Sequence, residues 1–124
     1  MIFKDSRQIQ ILIIISFLIS ENVSPKITFP THADDFISGY VGDQLFISCE
    51  VTGSPKPNKY WLRNGVKIHS CPNTLEAKCT YVIQRATYLD NNGEYECVGE
   101  NLIKTVSRSL TVEIKGILWE KSKL

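Results

Sequence analysis

Four cysteines carry the most restricted chemistry in this sequence. They are Cys49, Cys71, Cys79 and Cys97. Cysteines either pair as disulfides or, as thiolates, ligate a metal ion. Four cysteines allow three pairings, and their spacing alone does not choose among them. The compartment in which the chain folds therefore decides between oxidised and metal-bound cysteines.

The N-terminal segment indicates an oxidising compartment. Lys4 and Arg7 precede an apolar run from Ile9 to Ile19, and polar residues follow from Ser20. This is the three-part layout of a secretory signal peptide. A transmembrane anchor is the alternative, but a span needs about 20 apolar residues and this run is shorter. We therefore predict a signal peptide over 1–20, a secreted chain and disulfide-bonded cysteines.

Metal ligation and catalysis are weaker interpretations of the same side chains. His69, Cys71 and Cys79 would supply three ligands, but their spacing is not a usual zinc pattern and export oxidises thiols. His32 and His69 are the two imidazoles, and neither lies in a recognisable nucleophile motif. The glutamates of 94–100 recur at the period of a strand, which is typical of exposed charges on a sheet. We predict no enzymatic activity, no metal and no cofactor.

Composition and charge fit one neutral domain. The 124 residues are 43% hydrophobic and 22% charged, as in an ordinary globular fold. Without Lys4, Asp5 and Arg7 the chain holds twelve basic and twelve acidic residues. A nucleic-acid partner, which needs a basic face, is not expected. The tail at 116–124 is too short and too charged for a membrane span or lipid-anchor signal, so stable membrane insertion is not expected either.

Short alternating runs separated by turn residues fill the chain after the leader, which is typical of an all-β fold. The clearest run is Gln44 to Thr52, which puts Leu45, Ile47, Cys49 and Val51 on one face. Further strands are predicted over 26–30, 58–63, 66–69, 80–85, 94–100 and 106–115. Asn64-Gly65 is expected to form a tight hairpin turn, 70–78 an irregular loop and 90–93 a corner. No segment with helical period appears outside the leader.

Three motifs stand in this strand pattern: Gly53-Ser54-Pro55-Lys56-Pro57, Tyr60-Trp61-Leu62-Arg63-Asn64-Gly65, and Gly93-Glu94-Tyr95-Glu96-Cys97 with Asn101 beyond. Together they resemble the immunoglobulin superfamily, closest to its intermediate (I-set) type. The resemblance implies an immunoglobulin-like β-sandwich of two antiparallel sheets. The predicted organisation is a signal peptide at 1–20, a linker at 21–25, the domain at 26–115 and a tail at 116–124.

The resemblance also implies the pairing of the cysteines. Cys49 and Cys97 would join the two sheets, with Trp61 packed on the bond. Closing that long loop is worth about 4 kcal/mol in the chain-entropy model. Cys71 is left to pair with Cys79, which would close a small loop worth about 2.5 kcal/mol. The second bond is expected to stiffen its segment, and the alternative is a rigid recognition knob over 73–76.

Other positions follow the resemblance or depart from it. Tyr95 is expected to bond back to the main chain, and Leu110 and Val112 to face the core. Asn91 stands where the family usually has an aspartate, so either the corner is one residue longer or a neutral hydrogen bond replaces an ion pair. Lys59 takes a usually apolar inward position, which predicts a buried stem with its amine in water.

Two surfaces are candidates for binding a partner. Alternation with Trp61 and Cys97 puts six residues on one outer face: Tyr60, Leu62, Glu94, Glu96, Val98 and Glu100. An apolar centre with a polar rim is typical of protein interfaces, although scattered apolar residues occur on any surface. Leu102 and Ile103, at the final hairpin tip, either carry recognition or tuck under the sheet end. Asn22 begins a glycosylation sequon, which the adjacent Pro25 and the nearby cleavage disfavour.

These observations predict a secreted extracellular module that binds another protein or a cell-surface receptor, in cell–cell recognition, adhesion or neuronal and synaptic organisation. The plan resembles the secreted one-immunoglobulin-domain proteins of nematodes, by analogy of fold. One alternative is a soluble decoy or immune modulator that binds a growth factor or cytokine. Another is a short isoform or fragment of a longer multi-domain receptor. A homophilic dimer also stays open.

Overall fold

The architecture comes from a computed structural model that describes residues 22–30, 32–72 and 76–116. The predicted signal peptide, the predicted knob residues 73–75 and most of the predicted tail lie outside these residues. The strands are β1 (Val23–Thr28), β2 (Phe36–Tyr40), β3 (Leu45–Ser54), β4 (Asn58–Arg63), β5 (Val66–Cys71), β6 (Lys78–Ile83), β7 (Gly93–Glu100) and β8 (Thr105–Lys115). A 3-10 turn spans Ala33–Asp35 and a short helix, α1, spans Tyr88–Asn91.

The strands form two facing sheets. One has the order β1-β3-β6 and the other the order β2-β8-β7-β4-β5. Neighbours pair antiparallel, except that β2 runs parallel to β8. This is the immunoglobulin-like sandwich that the resemblance implied. Within the described residues the smaller sheet has three strands, one fewer than the constant-type immunoglobulin plan.

Three elements differ from the sequence prediction. Strand β2 was not predicted, because its five residues include Gly39 and its parallel partner β8 lies far along the chain. Strand β1 begins at Val23, inside the segment predicted as a linker. The predicted absence of helices is wrong at α1, which is too short to show a helical period. Thr87 caps it, since its Oγ1 accepts a hydrogen bond from the Asp90 N–H at 3.1 Å.

The core forms around a disulfide between Cys49 on β3 and Cys97 on β7, which joins the two sheets. Trp61, the register partner of Cys97, is fully buried. Its indole Nε1 donates to the Cys79 carbonyl at 3.1 Å, and its ring stacks on Phe29 with centroids 6.2 Å apart. Other large side chains that are fully buried include Tyr95, Ile47, Leu110, Val51 and Val112.

The second disulfide joins Cys71 to Cys79, as the resemblance implied, but it does more than close a small loop. Cys71 ends β5, at the edge of the five-stranded sheet, and Cys79 lies on β6, at the edge of the three-stranded sheet. The bond therefore links the two sheets along their open side. It lies close to the first disulfide, because Cys79 is the register partner of Cys49.

Lys59 differs from its predicted environment. The side chain points inward, in register with Gly99 and Cys71, and only 3% of it is exposed. Its Nζ donates to the Pro72 carbonyl at 3.2 Å. The stem is buried as predicted, but the prediction that the amine lies in water is wrong.

The corner before β7 is held by main-chain carbonyls. The Tyr95 hydroxyl donates to the Asn91 carbonyl at 2.9 Å, which is the predicted bond back to the main chain. Arg63 donates from Nη2 to the Asn92 carbonyl at 2.6 Å, and its guanidinium lies 5.0 Å from the centre of the Tyr95 ring. The Asn91 side chain accepts from the Thr87 N–H at 2.8 Å. The Asn91 side chain therefore makes a neutral hydrogen bond, as in one of the two predicted alternatives.

His32 and Arg108 support the chain where it crosses between sheets. Strand β1 ends opposite Glu50, so it offers no backbone partner to Ser48. The His32 Nε2 accepts from the Ser48 N–H at 3.2 Å instead. Arg108 forms an ion pair with Asp35 at 2.6 Å. His32 thus attaches the segment between β1 and β2 to β3, and Asp35 attaches it to β8.

We predict that Gly99→Ala destabilises the sandwich. An added Cβ would overlap Cγ1 of Val51, whose branched side chain is buried in the facing sheet. Overpacking of this kind costs roughly 1–3 kcal/mol in the free energy of unfolding. Urea denaturation measures it, and the Val51→Ala/Gly99→Ala double variant should lose less stability than the sum of the two single changes. Additive losses would contradict the overlap.

We also predict that replacing Cys71 and Cys79 together by alanine lowers the free energy of unfolding by about 2.5 kcal/mol, because the unfolded chain gains loop entropy. Denaturation of the oxidised protein measures the loss. Non-reducing peptide mapping provides the control, since it should link Cys71 only to Cys79. A peptide joining Cys71 to Cys49 would disprove this pairing.

Candidate protein-binding surface

The outer side of the five-stranded sheet, called here the outer face, has an aromatic and aliphatic centre. Tyr60 on β4 pairs with Ser70 on one side and Val98 on the other. Leu62 pairs with Lys67 and with Glu96. The alternation that turns Trp61 inward turns these side chains outward. The structure therefore places Tyr60 and Leu62 together, as predicted from the sequence.

Contacts on both sides fix the ring of Tyr60. Its hydroxyl donates to Glu100 Oε1 at 3.0 Å, and the Lys67 Nζ lies 4.2 Å from the ring centre. Burial raises the pKa of the Tyr60 hydroxyl, and the hydrogen bond and charge of Glu100 raise it further. A tyrosine held in this way loses little side-chain entropy when a partner covers it.

Val98 contributes less to this face than predicted. Its pairing with Tyr60 puts it on the outer side of β7, but only 4% of it is exposed. The expectation of an exposed valine at the centre is therefore wrong, because neighbouring side chains already cover it. Alternation along a strand predicts the direction of a side chain, but it does not predict whether neighbouring side chains bury it. The apolar contact area at the centre comes from Tyr60 and Leu62, which are both half-buried.

The charge on the outer face is mainly acidic. Glu94, Glu96 and Glu100 follow one another along β7, and Glu113 lies beyond them on β8. Two lysines stand on the same face, and both lie over tyrosine rings: Lys67 over Tyr60 and Lys115 over Tyr40. Four carboxylates against two ammonium groups favour a partner with a basic surface.

The outer face also has an aromatic pair on β2, which was not predicted from the sequence. Phe36 pairs with Thr111, and Tyr40 pairs with Lys115, so both rings belong to the outer face. Phe36 is 43% exposed and Tyr40 is 42% exposed. Phe36, Ser38 and Tyr40 alternate as in a strand, and this alternation could have predicted the pair. No strand was predicted over 36–40, so the pair was not expected.

The tip of the final hairpin is a second apolar surface, held rigid by Asn101. The Asn101 Nδ2 donates to the Val23 carbonyl at 2.9 Å and to the Pro55 carbonyl at 3.1 Å. Its Oδ1 accepts from the Ile103 N–H at 2.9 Å. Leu102 is 76% exposed, and Ile103 is 42% exposed. The two side chains do not tuck under the sheet end, and recognition at this tip stays a prediction.

The cluster that could hold a metal contains His69, Cys71 and Cys79, whose ligand atoms lie within 4.8 Å of one another. The two sulfurs are bonded to each other, so neither is available as a thiolate. The His69 ring packs against Tyr81, with the ring centroids 5.8 Å apart. The cluster therefore joins the sheets covalently and does not form a ligand set in this state.

Comparisons with known proteins agree with this architecture. The family model described as "Immunoglobulin domain" matches residues 24–101. Contactin of Drosophila melanogaster is 33% identical over 98 residues, which are 79% of this chain and 6% of contactin. The present chain thus spans a small part of this relative. Within the described residues, no helix has the length and apolar character needed to cross a membrane.

Two solved structures share the fold. The titin Ig tandem domains A164-A165 have a TM-score of 0.66 at 21% identity, covering 77% of this chain and 51% of that one. The structure of Dpr2 Ig1-Ig2 in complex with DIP-Theta Ig1-Ig3 has a TM-score of 0.62 at 18% identity, covering 75% of this chain and 33% of that one. At these identities the likeness shows the fold.

We predict that the outer-face tyrosine makes stability fall at high pH. The pKa of Tyr60 is raised in the fold, so the folded state disfavours the phenolate. The associated stability is present below the unfolded pKa of about 10 and is lost as pH rises through the folded pKa. Ultraviolet titration of tyrosinate and urea unfolding at each pH measure this. Glu100→Gln should move the Tyr60 titration toward lower pH, and an unchanged titration would contradict the assigned cause.

Proposed function

The chain belongs to the immunoglobulin domain family, and from that premise we propose that it is a secreted module that binds another protein outside the cell. We infer a non-catalytic role in cell–cell recognition or adhesion, including neuronal and synaptic contacts. The I-set subtype and the likeness to secreted one-immunoglobulin-domain proteins of nematodes belong to the same proposal. The observation that carries it is the outer face, where Tyr60 and Leu62 form a rigid centre within an acidic rim.

The chemistry of the outer face supports protein binding. Interface energy concentrates in a few aromatic or aliphatic anchors that the partner desolvates, while surrounding polar groups exclude water. Tyr60 and Leu62 are such anchors, and the carboxylates of β7 form the surrounding rim. The rim also steers a basic partner during encounter, since long-range attraction between opposite charges raises the association rate.

The disulfides support the extracellular setting. Each of the four cysteines is bonded to another, and disulfides form and persist in oxidising compartments. The predicted signal peptide at 1–20 fits the same setting. Among the structures that share the fold, one is that of Dpr2 Ig1-Ig2 in complex with DIP-Theta Ig1-Ig3. That likeness supports partner binding by this chain as a proposal.

Leu62→Arg tests the proposed surface. Arginine at the centre removes an apolar contact and opposes a basic partner, so binding should weaken by about 30-fold, as expected for loss of a hot spot of about 2 kcal/mol. The tagged protein is used as a probe against an array of cell-surface ectodomains, and affinity for the proteins it captures is measured by surface plasmon resonance.

Phe46→Arg is the matched control. Phe46 is 54% exposed on the outside of the three-stranded sheet, so this variant also replaces an apolar surface side chain with arginine, but away from the outer face. Circular dichroism should show both variants folded. Loss of binding in Phe46→Arg with retention in Leu62→Arg would place the interface on the other sheet. Leu102→Asp gives a third arm, which reports on the hairpin tip.

A further inference from the structure

A cavity of about 100 Å³ opens at the end of the sandwich that carries the loop between β3 and β4. Its walls are Val51, Thr52, Gly53, Lys56, Pro57, Lys59, Glu76 and Ala77. One side comes from the end of β3 and the following loop, and the other comes from the chain just before β6. A water molecule needs about 10–15 Å³ of such space, so the cavity has room for a group larger than one water.

Lys59 is the unusual residue among those that line this cavity. It takes an inward position on β4, where alternation with Trp61 favours an apolar side chain. Burying an ammonium group is unfavourable unless opposite charge and hydrogen bonds compensate it. The ammonium group has three N–H donors, and it makes a hydrogen bond to the Pro72 carbonyl. That carbonyl carries no full negative charge, so it compensates only part of the cost.

The charges around the cavity favour an anion. Burial lowers the pKa of Lys59, the nearby charge of Lys56 lowers it further, and the carboxylate of Glu76 opposes the change. Two ammonium groups against one carboxylate leave an excess of one positive charge. A singly charged anion balances this excess, and the small cavity with its apolar walls at Val51 and Pro57 suits a compact anion.

We propose that this cavity binds one carboxylate group, presented by a peptide segment of a protein ligand, with Lys59 and Lys56 as the residues that bind it. The site lies at the loop end of the sandwich, where Lys59 faces the inner side of β4, whereas Tyr60 and Leu62 face its outer side. It therefore does not depend on the outer face, and either proposal stands if the other fails. The buried lysine is then explained by binding, because an apolar residue would serve the core better.

Acetate is the probe for the carboxylate, and acetamide is its neutral counterpart of equal shape. The protein, labelled with nitrogen-15, is titrated with each at constant ionic strength, and amide shifts are followed by NMR. Gly53 and Ala77 line the cavity, so their amide signals should shift and saturate with acetate, with a dissociation constant of about 1 mM as expected of a single small group. Acetamide should leave them unchanged.

Variants assign the response to the lysines. Lys59→Met should abolish the saturable shift while the protein keeps or gains thermal stability, because methionine fills the site without a buried charge. Lys56→Gln should weaken acetate binding several-fold. Lys115→Met is the matched control, because it removes an exposed lysine at the end of β8, and its titration should match that of the unchanged protein.

The outcomes separate the proposal from its rivals. Absence of a saturable shift in the unchanged protein, or equal acetate affinity in Lys59→Met, overturns the site. Equal shifts with acetate and acetamide overturn the role of charge. Inorganic sulfate that binds more tightly than acetate assigns the cavity to a sulfated ligand and overturns the carboxylate. If Lys59→Met fails to fold, the Lys56→Gln titration and the shift of the Lys59 side-chain nitrogen decide the question.

Discussion

The covalent bond between Cys49 and Cys97 is the constraint on which the rest of the sandwich depends. It ties the middle of β3 to the middle of β7, so the two sheets must face one another at that point. Trp61 fills the adjacent space and donates its only polar hydrogen to the Cys79 carbonyl. Closing a loop of this length is worth about 4 kcal/mol in the chain-entropy model. A small domain has a total stability of only about 5–15 kcal/mol, so this bond is a large share of it.

The direction of the inner side chains fixes the outer face. Once Trp61 and Cys97 point into the core, their neighbours Tyr60 and Glu96 must point to the solvent, because successive residues of a strand face opposite sides. The surface proposed for binding is thus a geometric consequence of the core. The contact between Tyr60 and Glu100 adds rigidity to it, because it joins two strands through their side chains.

The second disulfide connects the fold to the proposed carboxylate site. Cys71 and Cys79 link the edges of the two sheets, and Pro72 follows Cys71 directly. The carbonyl of Pro72 accepts a hydrogen bond from the Lys59 Nζ, so the link also positions the partner of the buried ammonium group. The same bond joins the edge strands β5 and β6, and with them the two sheets, on the open side of the sandwich. Stability at this edge and the position of the Lys59 partner therefore depend on one residue pair.

The sequence by itself determined most strands and the direction of most side chains, because alternation is a local property. It indicated the sandwich class through the resemblance of its motifs to the immunoglobulin superfamily. It predicted β3, β4 and β7 closely, and the outward direction of Tyr60 and Leu62. It did not determine β2, whose parallel partner is distant in the chain, or the cover that buries Val98. It also did not determine that Lys59 meets the Pro72 carbonyl, or that Cys71–Cys79 joins two sheets. These features depend on which segments pack together, and only the tertiary structure decides that, since non-local contacts leave no period in the sequence.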